Sequence, residues 1–164
     1  MVNIVPVNSR AEISIAANLA HTIWTEHYTP IIGAEQVAYM LDKYQSADAI
    51  EDQVEKGIRY YLMMHQERYV GYFSFSAEDQ FLFLSKFYVL KSARGGGIGK
   101  AAMLFIEGQA GALGLEKIRL TVNKYNSKSI TAYEKMGFTN IDSIVQDIGN
   151  GFEMDDYVLE KALI

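Results

Sequence analysis

The sequence predicts an α/β protein, a mixed sheet with helices on its faces. Three observations lead there. The chain has 164 residues and no linker, repeat or low-complexity tract, which suits one domain over residues 1–164 built on one hydrophobic core. Helical periodicity fills most of the first third, and strand-like runs then alternate with two further helical segments. The resulting order is strand, helices, three strands, helix, strand, helix, two strands, which is neither all-α nor all-β.

Each element has its own signal. Residues 3–8 (Asn-Ile-Val-Pro-Val-Asn) read as a short strand, and Pro6 places it near a sheet edge because proline cannot donate to a ladder. Ser9 and Glu12 form a Ser-x-x-Glu capping box that opens a helix. Ala16, Leu19, Ala20, Ile23 and Trp24 recur at helical spacing along it, and Thr29-Pro30 is expected beyond its end. A second helical region spans about residues 34–56, broken near Gln45-Ser46 and stopped by Gly57. Residues 59–64 and 69–76 are rich in aromatic and aliphatic side chains, and the short polar connection His65-Gln-Glu-Arg68 makes them a hairpin. Residues 81–90 are apolar except for Ser85 and Lys86, and read as a strand covered on both faces. Residues 98–113 are helical, with Ile98, Ala102, Phe105 and Ile106 on one side. Ile118, Leu120 and Val122 alternate with Arg119 and Thr121 as in a strand. Residues 126–136 form a short helix ended by Gly137, and residues 138–145 and 152–159 close the chain as two strands.

Composition excludes several classes of function. With no Cys there is no disulfide scaffold and no Cys-ligated zinc or iron–sulfur site, and His21, His27 and His65 offer no metal spacing. No stretch approaches the roughly 18 apolar residues of a membrane span. The start, Met1-Val-Asn-Ile-Val-Pro, has no basic segment followed by an apolar run, so a cytoplasmic protein is expected. A net charge of −5 disfavours nucleic acid. The charge is unevenly placed. From Asn140 onward there are six acids and one base, which accounts for the whole net charge. Residues 86–100 hold Lys86, Lys91, Arg94 and Lys100 and no acid.

That basic segment contains the most informative run, Phe87-Tyr-Val-Leu-Lys-Ser-Ala-Arg94-Gly95-Gly96-Gly97-Ile98-Gly99-Lys100. A buried strand passes through a short turn into a glycine-rich helix start. The first N–H groups of a helix lack partners within it, and the helix dipole adds positive potential there. Glycines let an anion approach the backbone, and Arg94 and Lys100 reinforce the field, so the segment suits a phosphate. A Walker A loop would need Gly at position 94 and a hydroxyl at 101, where the chain has Arg94 and Ala101. A dinucleotide fingerprint starting at Gly95 would need Gly or Ala where Lys100 stands, and it belongs in the first strand–helix unit.

The spacing that fits is Arg-x-x-Gly-x-Gly, and it resembles the acyl-CoA pyrophosphate loop of the GCN5-related N-acetyltransferase (GNAT) family. Downstream, the run from Val122 through Asn126, Ala132, Tyr133, Gly137 and Phe138 looks like the second motif of that family. The close similarity covers about residues 81–138. It implies the family's single-domain fold: a mixed, mostly antiparallel sheet with a central splayed pair of parallel strands and helices on both faces. It implies acetyl-CoA as cofactor, with its pantetheine arm on the backbone of Phe87, Tyr88 and Val89 and its diphosphate on the turn formed by Arg94, Gly95, Gly96, Gly97, Ile98, Gly99 and Lys100. Asn126 is a natural helix N-cap, and the resemblance also assigns it to the cofactor. Ser129 and Tyr133 follow on the same helical face. A phenol can donate a proton to a departing thiolate without being ionised at neutral pH, so Tyr133 is the expected general acid.

The amine side is less determined. Polyamine and diamine acetyltransferases, similar members, carry Glu on the central strand where this chain has Ser85. Glu26, His27, Asp147, Glu153, Asp155 and Asp156 are the other candidates for a base. The expected acceptor is a small-molecule amine or a peptide amine. The acidic C-terminal region favours a cationic one such as a polyamine, with Asp147, Asp155 or Asp156 lining its approach. The alternative is a sensor that binds acyl-CoA without turnover. Edge strands after Phe138 could pair two subunits as a homodimer.

Overall fold

The computed structural model describes residues 1–163. Among them, seven strands form one sheet: β1 (Val2–Pro6), β2 (Arg59–His65), β3 (Arg68–Ala77), β4 (Leu82–Val89), β5 (Lys117–Asn123), β6 (Thr139–Gly149) and β7 (Phe152–Ala162), hydrogen-bonded in the order β1-β2-β3-β4-β5-β7-β6. The α-helices are α1 (Arg10–Ile32), α2 (Ala34–Gln45), α3 (Ala47–Glu55), α4 (Ile98–Ala112) and α5 (Ser127–Lys135). A single 3-10 turn, Lys91–Ala93, follows β4 and had no signal in the sequence. Two compact units share these elements. One holds Met1–Ser76 and Lys86–Phe105, the other Ala77–Ser85 and the residues from Ile106 onward, so each takes part of β4 and part of α4.

In the first unit, β1 is the edge strand that Pro6 required, antiparallel to β2. The Ser9 hydroxyl accepts from Glu12 N–H, and the Glu12 carboxylate accepts from Ser9 N–H at 3.0 Å and Asn8 N–H at 2.8 Å. The bond from Asn8 N–H leads in holding the Glu12 carboxyl below its ordinary range. α1 buries Ile13, Ala16, Leu19, Ala20, Ile23 and Trp24, the stripe read from the sequence. Its end differs from expectation, because Pro30 lies inside the helix, which runs on to Ile32. The reason is position. Pro30 sits in the last turn, where its missing N–H deprives only the carbonyl of exposed Glu26, which water can serve. Gly33 N–H then closes the helix onto the Thr29 carbonyl at 3.0 Å. Ser46 separates α2 from α3 as expected, and its hydroxyl caps α3 by accepting from Ala49 N–H at 3.1 Å.

The two sheet faces of this unit are distinct. Tyr60, Tyr72 and Tyr88 share one face with α1 and the α2–α3 junction. There Trp24 Nε1 donates to the Tyr72 hydroxyl at 3.1 Å, Tyr72 donates to Gln45 Oε1 at 2.6 Å, and Gln45 Nε2 donates to the Tyr60 hydroxyl at 2.9 Å. Burial pushes the Tyr60 phenol up to about 12 and the Tyr72 phenol well above its usual value, so both stay protonated donors. Tyr61, Phe73, Phe75 and Phe87 share the other face, where Phe105 of α4 packs 5.2 Å from Tyr61 and 6.0 Å from Phe73.

β4 departs from the expectation of a strand covered on both faces. Leu82 and Leu84 are buried, but Ser85 through Val89 are all half-buried. Its parallel register with β5, Leu82 with Ile118 and Phe83 with Arg119, lies at the start of the strand. A neighbour along part of a strand covers only that part. In the second unit, β5 also pairs antiparallel with β7, and β7 with the edge strand β6. Ile118, Leu120, Val122, Phe138, Ile148 and Leu159 are buried there with Ile106 and Ala110 of α4. β6 and β7 are longer than the sequence suggested, and Asn150 (φ +54°) and Gly151 (φ +79°) form the tight turn between them. β6 is largely exposed, including Ile141 and Val145. No helix among the described residues is long and apolar enough to cross a membrane.

Candidate active site

The sequence-predicted site residues fall into two sets, one in each unit. The first set surrounds the end of β4. Strand alternation turns Phe87 and Tyr88 to opposite faces. Phe87 lies under the head of α4, where a Cβ added at Gly99 would touch its ring at 3.8 Å. Tyr88 turns toward α1. Its ring is 5.6 Å from that of Trp24 and 6.1 Å from that of Tyr28, and its hydroxyl is 3.0 Å from the Tyr28 hydroxyl. β3 approaches this stretch closely, since a Cβ at Gly71 would stand 2.4 Å from the Tyr88 carbonyl oxygen.

The glycine-rich turn follows. Arg94 folds back and donates from Nε to the Val89 carbonyl at 3.1 Å, which ties the turn to the strand end. Gly95 (φ +86°) and Gly97 (φ +81°) occupy the left-handed region, and no atom lies within 4 Å of where their side chains would be. Ile98 is buried and anchors the helix start, while Arg94, Gly95, Gly96, Gly97 and Lys100 are exposed. Ala101 N–H bonds to the Gly97 carbonyl at 3.0 Å, so the N–H groups of Ile98, Gly99 and Lys100 belong to the open first turn. This turn has the backbone donors, accessible surface and positive charge that a diphosphate needs. The residues present therefore fit an acyl-CoA at this end.

The second set lies on and before α5. Asn126 is only 4% exposed and stands at the N-cap position, yet its side chain makes no capping hydrogen bond. The preceding turn is organised by Asn123 instead, whose Oδ1 accepts from Tyr125 N–H at 2.9 Å. Capping therefore does not explain why a polar Asn126 side chain is buried. Ser129 and Tyr133 lie four residues apart on α5, both half-buried. The Tyr133 ring packs edge-on against Phe138, with centroids 5.6 Å apart. Its carbonyl accepts from Met136 and Phe138 N–H, fixing the Gly137 turn to the helix end.

The candidate bases are dispersed. Asp155 pairs with Lys124 at 2.8 Å, and its carboxylate raises the Lys124 ammonium above its ordinary value. Asp147 accepts from Gly149 N–H at 2.8 Å and faces Glu153 across the β6–β7 ladder. Asp156 is buried opposite Asn123. Glu160, also in the acidic tail, pairs with Arg119. Glu26 is exposed, and the half-buried His27 lies edge-on to Tyr28 at 4.9 Å. Among the described residues, no group of His, Cys, Asp and Glu could hold a metal. A cavity of about 560 Å³ opens between α1 and α2, lined by His21, Thr25, Asp42 and Gln45 among others, and none of the sequence-predicted cofactor residues borders it. The sequence reading missed Tyr28, Trp24 and Gln45, whose partners are 60, 48 and 27 residues away and follow no motif.

Comparison with known proteins adds the following. The model of the acetyltransferase (GNAT) family matches residues 19–138. A search of curated protein sequences found no match. Among solved structures, the PaiA N-acetyltransferase of Thermoplasma acidophilum in complex with coenzyme A superposes with a TM-score of 0.84 at 19% identity, covering 99% of each chain. An acetyltransferase of the GNAT family from Staphylococcus aureus gives 0.75 at 18% identity over all of both chains. The ribosomal-protein-S18-alanine N-acetyltransferase of Escherichia coli gives 0.73 at 12% identity, covering 99% of this chain and 94% of its own.

Proposed function

The chain belongs to the acetyltransferase (GNAT) family, whose acyl donor is acetyl-CoA, and from that premise we propose that it transfers acetyl directly from the thioester to a primary amine, without a covalent enzyme intermediate. The observation that carries this reading is the head of α4, where Gly95 and Gly97 are exposed, left-handed and open on the side where their side chains would be. Acetyl-CoA supplies an activated acyl group. The backbone of Phe87, Tyr88 and Val89 binds its arm, and Arg94 through Lys100 hold its diphosphate. Asn126 and Ser129 are further cofactor residues in this reading. Tyr133 holds a proton at its hydroxyl for the departing sulfur.

The acceptor is a small-molecule or peptide amine. The family resemblance to polyamine acetyltransferases and the acidic tail favour a cationic small amine. The S18-alanine enzyme of Escherichia coli, by its name, acts on an alanine of a protein, which keeps peptide amines in the proposal. The ion pairs of Asp155 and Glu160 reduce the tail's pull on cations. Residues 1–164 would act as one domain in the cytoplasm, and the exposed edge strand β6 offers a seam for a homodimer.

The test is thiol release from acetyl-CoA across a panel of amines and free peptide amino termini, with the N-acetyl product identified by mass spectrometry. Thiol release matched by N-acetyl product is expected. Ser85 in place of a strand carboxylate favours a second reading, an acyl-CoA sensor. Tight CoA binding with no product from any amine would establish the sensor and remove the enzyme.

A further inference from the structure

The donor residues leave open where the amine enters and how it sheds its proton, and the first unit contains an arrangement that answers both. The head of α4 and the Phe87 ring lie on one face of the end of β4. An amine must reach the acyl carbon from a side that the donor does not occupy. On the opposite face, the end of β4 presents Tyr88, with Lys86 two residues before it. Its hydroxyl meets that of Tyr28, near the end of α1, at 3.0 Å, and both residues are half-buried. Trp24, only 2% exposed, backs the pair, with ring centroids 5.5 Å from Tyr28 and 5.6 Å from Tyr88. Fully buried Tyr72 stands behind, 5.7 Å from Tyr88, and hydrogen-bonds Trp24 and Gln45. The half-buried part of this cluster thus carries two paired hydroxyls against an aromatic wall. Aromatic faces attract an ammonium, and phenol oxygens accept its hydrogens.

We propose that the paired hydroxyls of Tyr28 and Tyr88, backed by Trp24, receive the acceptor amine and relay its proton to solvent. This rests on the acetyl-transfer reading above and gives that site its acceptor half. The acceptor arrives as R–NH3+. It passes one proton through the pair, each oxygen releasing a proton as it takes one, so neither phenol has to ionise. The neutral amine then forms the C–N bond as the C–S bond breaks. The departing sulfur ends as the thiol by taking up the second proton that nitrogen loses. The products are the N-acetyl amide, coenzyme A as its free thiol, and one proton in solvent. The relay takes the place of the carboxylate that Ser85 does not supply.

The pair is tested with Tyr28→Phe, Tyr88→Phe and the double variant, which keep the rings and lose only oxygens. Each single change should lower kcat/KM for the amine about tenfold to a hundredfold, with the Kd of CoA and the KM of acetyl-CoA unchanged. The double variant should be little worse than either single one, since a relay broken once is already broken. A second readout needs no turnover. Trp24 is the only tryptophan of the chain. Titrating the CoA complex with n-butylamine, 1,4-diaminobutane or a trialanine peptide should therefore shift Trp24 emission saturably, and the double variant should abolish the shift. Unchanged kcat/KM in all three variants would overturn the proposal, and so would the absence of any saturable emission change with all three amines. A Trp24 response without acetylated product would instead keep the amine site and remove the enzymatic reading.

Discussion

A single oxygen atom separates Tyr133 as an acid from Tyr133 as a packed ring. Tyr133→Phe keeps the edge-on contact with Phe138 and removes only the hydroxyl. CoA affinity should stay nearly intact by calorimetry, while kcat falls about tenfold to a thousandfold. Wild-type turnover in this variant, with chemistry rate-limiting, would reassign the residue. Gly97 tests the donor side. Its φ of +81° is hostile to a β-branched residue whatever space surrounds it. Gly97→Val should destabilise the fold by only about 1–3 kcal/mol. The same change should weaken CoA binding severely, because the strained backbone supplies the donors. Unchanged affinity in calorimetry would remove the turn from the site. Both residues were named from the sequence, Gly97 by the Arg-x-x-Gly-x-Gly spacing and Tyr133 by the family motif around it. The Tyr28–Tyr88 pair was not, because 60 residues separate its members and only the folded sheet brings them together.

At the scale of elements, β3 and β4 leave no room for a side chain at Gly71. A methyl at Gly71 would stand 2.4 Å from the Tyr88 carbonyl oxygen and 3.1 Å from Val89 Cα. Gly71→Ala must therefore push the two strands apart beside the proposed donor and acceptor residues. It should cost about 1–3 kcal/mol of stability and weaken CoA binding as well, read by thermal melts and titration. Normal CoA affinity in a destabilised protein would mean that the end of β4 tolerates displacement. The opening of α1 gives a pH-dependent case. The Glu12 carboxyl is held below its ordinary value of 4.5, so its contribution is full above that value and disappears as pH falls through the depressed one. Glu12→Gln should accordingly be less stable than wild type at pH 7, and the two should converge in acid. A constant gap down to low pH would show that the charge is irrelevant to the cap. Strands, helices and this cap were legible because each is written in local periodicity or a four-residue pattern. Pro30 misled because in the last turn of a helix a proline deprives one carbonyl alone, and whether water can serve that carbonyl depends on exposure. The half-covered end of β4 misled because composition reports how apolar a strand is, not how far its neighbour follows it.

Over the whole molecule, both compact units take part of β4 and part of α4. If residues 1–164 behave as one cooperative domain, Trp24 emission, which reports on the first unit, should melt with the same midpoint as far-ultraviolet dichroism, which reports on all of it. Two separated transitions would divide the chain into independent domains. Net charge was legible at this scale, whereas pairing was not. The tail carries the entire −5, yet Asp155 and Glu160 are matched by Lys124 and Arg119 from elements earlier in the sequence.

Asn126 bears on how this protein would respond to selection for heat resistance. It occupies a helix head where Asn, like Ser or Asp, would normally satisfy the first amides, and its side chain does not do so. A substitution that let this position cap the helix is one that a stability screen would reward. If Asn126 serves the cofactor, that reward runs against activity, and variants selected for melting temperature would drift toward a sturdier and slower enzyme.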